Sequence, residues 1–253
     1  MKGVFRYLFM NDNNMIPKVI HYFWFGKGEK PPIFFKCLES WKKNCPDYEI
    51  KEWTEDSFDI NINAYVKEAY QKEKYAFVSD YARFYVLYNH GGIYLDIDVE
   101  ILKSIDKLLS EETFMGFEDR NQVNPGLIMG ARKGDKLLRS ILDIYDSFDG
   151  YPNDNHNVCK IVTEFLVKNK QLEVKSNIIQ RLDGITVFPI EYFCACDYFT
   201  KKMSITENTY TVHHYNGSWL STKDRFINRI RVLIYKAIGR KNYDKLKAKL
   251  RGK

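Results

Sequence analysis

Two carboxylates spaced two residues apart, Asp96 and Asp98, are the residues of this chain whose types and spacing most directly predict chemistry. From Ile93 to Val99 apolar residues alternate with Tyr94, Asp96 and Asp98, which is the period of a strand with one apolar face. Both aspartates are therefore predicted to lie on its non-core side. Like charges so placed repel each other unless a cation lies near them. Mg²⁺ and Mn²⁺ prefer such oxygen ligands, usually completed by water or phosphate.

The segment just before this strand is predicted to be a helix. Ser79 is a typical first residue, acidic Asp80 suits the first turn, and the pair Gly91-Gly92 ends the helix. Asp80 and Arg83 are three residues apart and share a face. Arg83 could donate a fork of hydrogen bonds to a sugar hydroxyl or a phosphate oxygen. The alternative is an intrahelical ion pair of little energetic weight, and spacing alone allows either.

A second polar group, HHYNGSW, lies at His213–Trp219. If a strand ends at His213, the loop after it allows His214 to supply a nitrogen ligand to a metal. The Ser218 hydroxyl and the indole N–H of Trp219 could donate to phosphate oxygens. The alternative is a turn with a partly buried tryptophan and two ordinary histidines.

Aromatic residues mark the first predicted strand, within Pro17–Gly26. Phe23, Trp24 and Phe25 could stack on a nucleotide base, although aromatic residues are more commonly core residues. Farther along, Asn124-Pro125-Gly126 is a predicted turn and a candidate substrate contact.

Elements that alternate along the chain must position these residues. The predicted strands are Pro17–Gly26, Tyr48–Trp53, Ile93–Val99, Thr113–Glu118, Gly126–Ala131, Ile185–Phe188 and Tyr210–His214. The predicted helices are Pro31–Trp41, Asn63–Lys74, Ser79–His90, Gly134–Phe148 and Asn155–Lys168. Alternating strands and helices predict an α/β fold with a mostly parallel sheet, in which ligands bind beyond the carboxyl ends of the strands.

The composition sets the class of protein. A chain of 253 residues with 45% apolar residues can bury the core of one α/β domain with added helices. No apolar run approaches the roughly 20 residues that span a bilayer, and the first residues, MKGVFRYLFMNDNN, lack the features of a secretory signal. The five cysteines are irregularly spaced, which predicts free thiols in a reducing cytoplasm.

The net charge of +6 is concentrated at the end of the chain. Residues 224–253 contain eleven Lys or Arg and two Asp, a local charge of +9, which leaves −3 for the rest. A helix from Lys223 to Gly239 would have one apolar and one basic side. Such a helix can lie in a membrane interface and be attracted to anionic lipid. The alternative is a helix packed on the body with a solvated basic face.

Three segments, in order, resemble glycosyltransferase family 32, the transferases with a sugar-binding region containing the DXD motif, which includes capsular polysaccharide enzymes. They are IPKVIHYFWFG (Ile16–Gly26), SDYARFYVLYNHGGIYLDIDVE (Ser79–Glu100) and HHYNGSW (His213–Trp219). The catalytic domains of the large clostridial glucosylating toxins share the arrangement. The resemblance implies a Rossmann-like GT-A catalytic domain over residues 16–222, between an N-terminal lead (1–15) and a basic amphipathic tail (223–253).

The resemblance also implies a UDP-sugar donor, a divalent cation (Mn²⁺ or Mg²⁺) and transfer with retention of anomeric configuration. Asp98 would bind the metal directly, and Asp96 would contact the ribose or donor sugar and help to hold the metal. Asp80 and Arg83 would hold hydroxyls of the donor sugar. These four are the expected catalytic residues.

The remaining implied roles concern the metal and the nucleotide. His214 would be a metal ligand, although the adjacent His213 leaves open which of the two faces the metal. Ser218 and Trp219 would contact the diphosphate. The first strand, with Phe23 and Trp24, would hold the nucleotide, with Trp24 near the uracil.

The sequence therefore predicts a cytoplasmic hexosyltransferase that adds a sugar to a glycan or lipid-linked oligosaccharide of a bacterial capsule or another surface polysaccharide. It would dock on the inner face of the cell membrane through residues 224–253. One alternative is a toxin-like effector that glycosylates a host protein. Another is a basic, metal-dependent nucleic-acid-binding protein, which the confinement of the positive charge to the tail disfavours.

Overall fold

A mixed α/β sheet organises the chain. The computed structural model describes residues 15–151, 157–217 and 222–251. Its strands are β1 Val19–Phe23, β2 Glu49–Trp53, β3 Gly92–Tyr94, β4 Val99–Ile101, β5 Thr113–Phe117, β6 Val123–Asn124, β7 Met129–Ala131, β8 Gln180–Leu182, β9 Ile185–Phe188 and β10 Thr211–His213. Its helices are α1 Pro32–Asn44, α2 Ala64–Gln71, α3 Tyr75–His90, α4 Lys136–Asp146, α5 Val158–Lys170, α6 Ile190–Phe193 and α7 Thr222–Arg251, with a 3₁₀ helix at Asp106–Leu108.

The central sheet has eight strands in the order β2-β1-β3-β7-β5-β9-β8, with β6 paired to β5. Strand β1 is parallel to both β2 and β3, and β5 is parallel to β9, whereas β7 and β8 run in the opposite direction. The predicted α/β fold with a mostly parallel sheet is confirmed. Because β1 lies between β2 and β3, the strand order reverses there, and the carboxyl ends of β1 and β3 flank the crevice where ligands bind in open α/β sheets.

Helices cover both faces of this sheet. Helix α1 packs one face through Phe34 and Trp41, and the Trp41 indole donates to the carbonyl of Val99 at 2.7 Å. Helices α2 to α5 contribute to the apolar core on the other face. Coverage of both faces and the reversed strand order agree with the Rossmann-like GT-A architecture that the resemblance implied.

The helix before the aspartates begins earlier than the sequence predicted. Helix α3 starts at Tyr75, and the Ser79 hydroxyl donates to the Tyr75 carbonyl at 3.1 Å instead of capping the helix. The apolar Phe77 and Val78 extend the helical pattern toward the N-terminus, which is why the predicted start was wrong. The end is as predicted, since Gly91 with φ 69° follows His90.

A buried histidine ties this glycine end to β1. The Nε2 atom of His21 lies 3.0 Å from the carbonyl oxygen of Gly91. The Nδ1 atom of the same ring accepts a hydrogen bond from the Trp53 indole N–H at 3.1 Å. A carbonyl only accepts and an indole N–H only donates, so the neutral ring with its proton on Nε2 satisfies both partners. Burial, with help from His90 and Lys51, lowers the pKa of His21 to about 4. A Cβ at Gly92 would lie 2.9 Å from His21 Nε2, so this position requires glycine.

The single strand predicted over Ile93–Val99 is wrong. Strand β3 ends at Tyr94, a turn follows, and β4 begins at Val99 in a separate two-stranded sheet with β10. The Val99 N–H donates to the Asp96 carbonyl at 3.1 Å and closes this turn, while the Asp96 N–H donates to the Gly126 carbonyl at 3.1 Å. Leu95 and Val99 are both buried, so the pattern of apolar residues matches that of a strand although the backbone between them forms a turn. We call residues 95–98 the DXD turn.

The predicted C-terminal helix corresponds to the first part of α7. The backbone leaves the helical conformation at Gly239 (φ 72°, ψ 165°), so that two helical segments meet there. Among the described residues, no helix combines the length and the apolar character needed to cross a membrane.

Candidate metal centre

One carboxylate oxygen each from Asp96 and Asp98 and a ring nitrogen of His213 lie within 4.8 Å of one another. The DXD turn supplies the aspartates at the carboxyl end of β3. Strand β10 pairs with β4 in antiparallel register, with His213 opposite Val99, and this register carries the imidazole to the aspartates. The sequence thus brings together two segments more than a hundred residues apart.

Asp98 is the best-held member of this cluster. Its carboxylate lies 3.0 Å from His213 Nε2 and accepts from the Asn216 N–H at 2.7 Å, and its carbonyl accepts from the His214 N–H at 3.0 Å. Burial favours the neutral carboxyl, but the charge and hydrogen bond of His213 and the N–H of Asn216 outweigh it, so the pKa of Asp98 is lowered. Asp98 is therefore an anion available to a cation.

The structure places His213, and not His214, in the cluster. His213 is buried, its ring packs on Tyr215 at 4.2 Å, and its Nδ1 has no hydrogen-bond partner among the described residues. His214 Nε2 instead lies 2.8 Å from a Glu100 carboxylate oxygen. The prediction of His214 as the metal ligand differs from this geometry, because His213 still belongs to β10 and successive strand residues point to opposite faces.

Asp96 is more open than Asp98, with 29% of its side chain exposed against 11%. Its Oδ1 accepts a short hydrogen bond from the Tyr94 hydroxyl. A Cβ at Gly126 would lie 2.3 Å from Asp96 Oδ2, so only glycine fits beneath this carboxylate. The Gly126 N–H donates at 2.6 Å to the side-chain carbonyl of Asn124, the residue predicted as a turn and candidate substrate contact.

Asp80 and Arg83 form a buried pair directed at the DXD turn. Arg83 Nη2 donates to Asp80 Oδ1 at 2.8 Å and lies 3.7 Å from Asp96 Oδ1, and the guanidinium lies 4.6 Å from the ring centre of Tyr94. Burial, opposed by Arg83, raises the pKa of Asp80 to about 6. The intrahelical ion pair that the spacing allowed is present, and both of its side chains are nearly inaccessible, so the loss of either one would leave a buried charge unpaired.

Sequence reasoning missed Glu118, which directly follows β5. Its carboxylate accepts side-chain hydrogen bonds from Asn124 and Tyr215, and burial raises its pKa. In the stretch FMGFED, Glu118 looks like an ordinary end of an apolar strand. The signal that could have identified it is an acidic residue at the carboxyl end of a sheet strand, the edge at which ligands bind.

The predicted nucleotide contacts have different environments. Phe23 is buried against Phe25 at 5.8 Å and Tyr94 at 5.5 Å, so its ring belongs to the core, which corrects its predicted role in base stacking. Trp24 follows the end of β1, remains partly exposed, and donates to the Gly28 carbonyl at 2.7 Å. Ser218 and Trp219 lie outside the described residues.

The donor set of this cluster fits a hard divalent cation. Two carboxylates and one imidazole match the ligands that Mn²⁺ and Mg²⁺ accept, and water or phosphate usually supplies the remaining positions. Like charges on Asp96 and Asp98 favour a cation between them, and the partial exposure of Asp96 leaves an open side.

Residues 31–115 match the family model described as "Glycosyltransferase sugar-binding region containing DXD motif". This part of the chain is similar to the sugar-binding region of DXD glycosyltransferases. This match includes Asp80, Arg83 and the DXD turn, and it ends before His213.

Curated relatives of the sugar-binding region are glycosyltransferases. The chain is 30% identical over 143 residues to inositol phosphoceramide mannosyltransferase 3 of Schizosaccharomyces pombe, covering 53% of the chain and 38% of the relative. It is 26% identical over 217 residues to an uncharacterized glycosyltransferase of Acanthamoeba polyphaga mimivirus, covering 81% and 84%. The chain thus spans well under half of the yeast relative.

Among solved structures, PaToxG glycosyltransferase is similar, with 22% identity, a TM-score of 0.49, and coverage of 61% of this chain and 70% of that one. The family model and both of these curated relatives are described as glycosyltransferases.

Proposed function

We propose that this chain transfers a hexose from a nucleotide sugar to a glycan or lipid-linked acceptor with the help of a divalent cation. The observation that carries the proposal is the convergence of Asp96, Asp98 and His213 beside the buried pair Asp80–Arg83. Anionic metal ligands next to a guanidinium suit a sugar diphosphate, which presents negative oxygens and neutral hydroxyls together.

In this proposal Asp98, Asp96 and His213 hold Mn²⁺ or Mg²⁺. When bound, the cation would neutralise charge on the departing nucleoside diphosphate. Arg83 and Asp80 would hold hydroxyls of the donor sugar, and their burial fixes both side chains before the donor arrives. Trp24 at the end of β1 would face the base, and Ser218 and Trp219 would contact the diphosphate.

We propose that transfer retains the anomeric configuration through front-face attack. The bond between the acceptor oxygen and the anomeric carbon forms as the bond from that carbon to the diphosphate oxygen breaks, and the acceptor proton passes to the diphosphate. Glu118 would act as a positioning residue, because it joins Asn124 under the DXD turn to Tyr215 beside His213. Double displacement through an enzyme carboxylate is the other route to retention.

The proposed donor and acceptor follow from the family resemblance and from the names of the relatives. The family resemblance favours a UDP-hexose, whereas the names of the yeast relatives indicate mannose and a phosphoceramide acceptor. We propose a cytoplasmic enzyme that builds a surface glycan, such as a bacterial capsule, at the inner face of the cell membrane. The charge of +9 on residues 224–253 supports attraction to an anionic surface.

A hydrolysis screen tests this function. UDP-glucose, UDP-galactose, UDP-N-acetylglucosamine and GDP-mannose are incubated separately with the full chain and Mn²⁺, and release of free sugar is measured. At least one donor should be cleaved, and EDTA or Asp98→Ala should lower the rate by roughly a thousandfold. Glu49→Gln, at an exposed position of β2, is the control and should retain activity. Full activity of Asp98→Ala would refute the site.

A further inference from the structure

Four apolar side chains of α7 face solvent instead of the body of the protein. Exposed fractions are 41% for Ile230, 66% for Leu233, 36% for Ile234 and 37% for Ile238. At the helical period of about 100° per residue these four positions fall on one side. We call them the α7 stripe. A soluble helix packed on a core would bury such a face.

A different side of α7 attaches the helix to the body. Tyr235 is buried, and its ring stacks on Phe199 at 4.3 Å with an interplanar angle of 6°. Tyr243 packs on the same phenylalanine at 5.2 Å. These contacts fix the orientation of α7, so the outward direction of the stripe is a property of the fold.

Basic residues border the α7 stripe. Arg231 lies at one edge, Arg229 and Lys236 lie at the other, and all three are exposed. Long basic side chains beside an apolar stripe can extend their charged ends to phosphate while their stems cover apolar surface. The composition of this face therefore complements an apolar layer beneath negative headgroups.

We propose that α7 docks on an anionic membrane surface, with the α7 stripe inserted among the lipid chains and the bordering basic residues on the headgroups. This inference rests on the proposed function and deepens it by naming the surface through which the enzyme meets its membrane. Helix α7 also lies close to the candidate metal centre. Phe199 packs beside Tyr198, which packs on Tyr215 at 5.1 Å, next to His213.

Sedimentation with vesicles tests the docking surface. The full chain is mixed with vesicles of phosphatidylcholine, either pure or with a third of phosphatidylglycerol, and the bound fraction is measured at low and high salt. We expect binding to the anionic vesicles only, weakened by salt, and a loss of roughly tenfold or more in partitioning for Leu233→Glu with Ile234→Glu. Val167→Glu, which also replaces an exposed apolar residue on a helix, should bind like the original chain.

Several outcomes would overturn the proposal. Unchanged binding of the double variant would show that the stripe does not insert, and equal binding to both vesicles would remove the role of anionic lipid. A dimer in sedimentation equilibrium that the double variant dissociates would make the stripe an interface between copies. Tight, salt-sensitive binding to DNA without vesicle binding would point to nucleic acid.

Donor hydrolysis in solution separates this proposal from the proposed function. The double variant should retain hydrolysis within about twofold, because the side chains of the α7 stripe face solvent, whereas Asp98 and His213 of the metal cluster are buried. Vesicle binding by a chain that hydrolyses no donor would refute the proposed function and leave the docking surface standing.

Discussion

The DXD turn and α7 both carry concentrated charge, but the charges are buried at the turn and exposed on α7. Asp98 of the turn and the neighbouring Arg83 of α3 are buried, and each has a polar partner within 3.0 Å. On α7, Arg229, Arg231 and Lys236 are exposed beside apolar side chains that are exposed as well. Burial of the charges at the DXD turn costs desolvation energy and fixes their positions. On α7, the charged and apolar side chains remain accessible to a partner.

Buried and exposed charges therefore have different uses: the buried ones hold fixed positions, and the exposed ones attract an oppositely charged surface. Charges buried with good partners keep their positions to within the tolerance that chemistry requires, but removal of one partner is costly. Exposed charges contribute little to the fold and act over distance on an oppositely charged surface. Substitutions in the two regions should therefore differ first in stability.

The largest effect is expected from a matched pair of arginines. Arg83→Met leaves the buried Asp80 without its cation and should lower the free energy of unfolding by about 3–5 kcal/mol. Arg231→Met, on the exposed edge of α7, should change it by less than about 0.5 kcal/mol. Urea unfolding at pH 7 measures the free energy of unfolding of both variants. Similar losses in the two would contradict the difference between the buried and the exposed charges.

Acid should destabilise the sheet that supports the DXD turn. The folded pKa of His21, about 4, lies below its ordinary value of 6.5, so folding favours the neutral ring. The stabilising contribution is complete above pH 6.5 and is lost as pH falls toward 4, a change of about 3 kcal/mol. Protonation would place an N–H against the donating Trp53 indole.

Unfolding curves between pH 7 and pH 4 measure this loss. His21→Gln should be less stable at pH 7 and should have a flatter dependence on pH. An equal slope in the variant would contradict the assignment to His21.

A smaller effect is expected at Glu118. Glu118→Gln keeps the shape but removes one of the carboxyl oxygens that serve the hydrogen bonds to Asn124 and Tyr215, so KM for the donor should rise roughly tenfold while kcat and the melting temperature change little. Glu112→Gln, an exposed carboxylate just before β5, is the control. Loss of kcat with unchanged KM would refute a positioning role and favour direct participation in chemistry.

The smallest effect is expected from Leu233→Ala on α7. Leu233 is 66% exposed, so the free energy of unfolding should remain within about 0.5 kcal/mol of that of the original chain. The rate of donor hydrolysis should not change. Leu95→Ala removes a fully buried leucine beside the DXD turn and should cost about 2–5 kcal/mol. A destabilised Leu233→Ala would show that the α7 stripe is packed and would remove the contrast.

The sequence was sufficient for the α/β class, for most of the longer elements and for the proximity of Asp80 and Arg83 to the aspartates. These follow from hydrophobic periodicity and helical spacing, which are local. The prediction from sequence was wrong where backbone hydrogen bonds determine the local structure. Leu95 and Val99 alternate as in a strand, although the Val99 N–H closes a turn onto Asp96.

Tertiary register accounts for the other differences. Which histidine meets Asp98 depends on the pairing of β10 with β4, and that pairing cannot be read from HHYNGSW. The role of Glu118 depends on Asn124 and Tyr215, which come from distant segments. The family resemblance implied that Phe23 contacts the nucleotide, but Phe23 is buried in the core, which is the commoner place for an aromatic residue.

The central claim is that Asp96, Asp98 and His213 form one divalent cation site, and Mn²⁺ binding followed by electron paramagnetic resonance tests it most directly. Titration of the full chain with Mn²⁺ is compared with that of His213→Gln and His214→Gln. We predict that His213→Gln weakens Mn²⁺ binding by about tenfold or more and that His214→Gln changes it by less than about twofold. Loss of binding in His214→Gln with normal binding in His213→Gln would contradict the account.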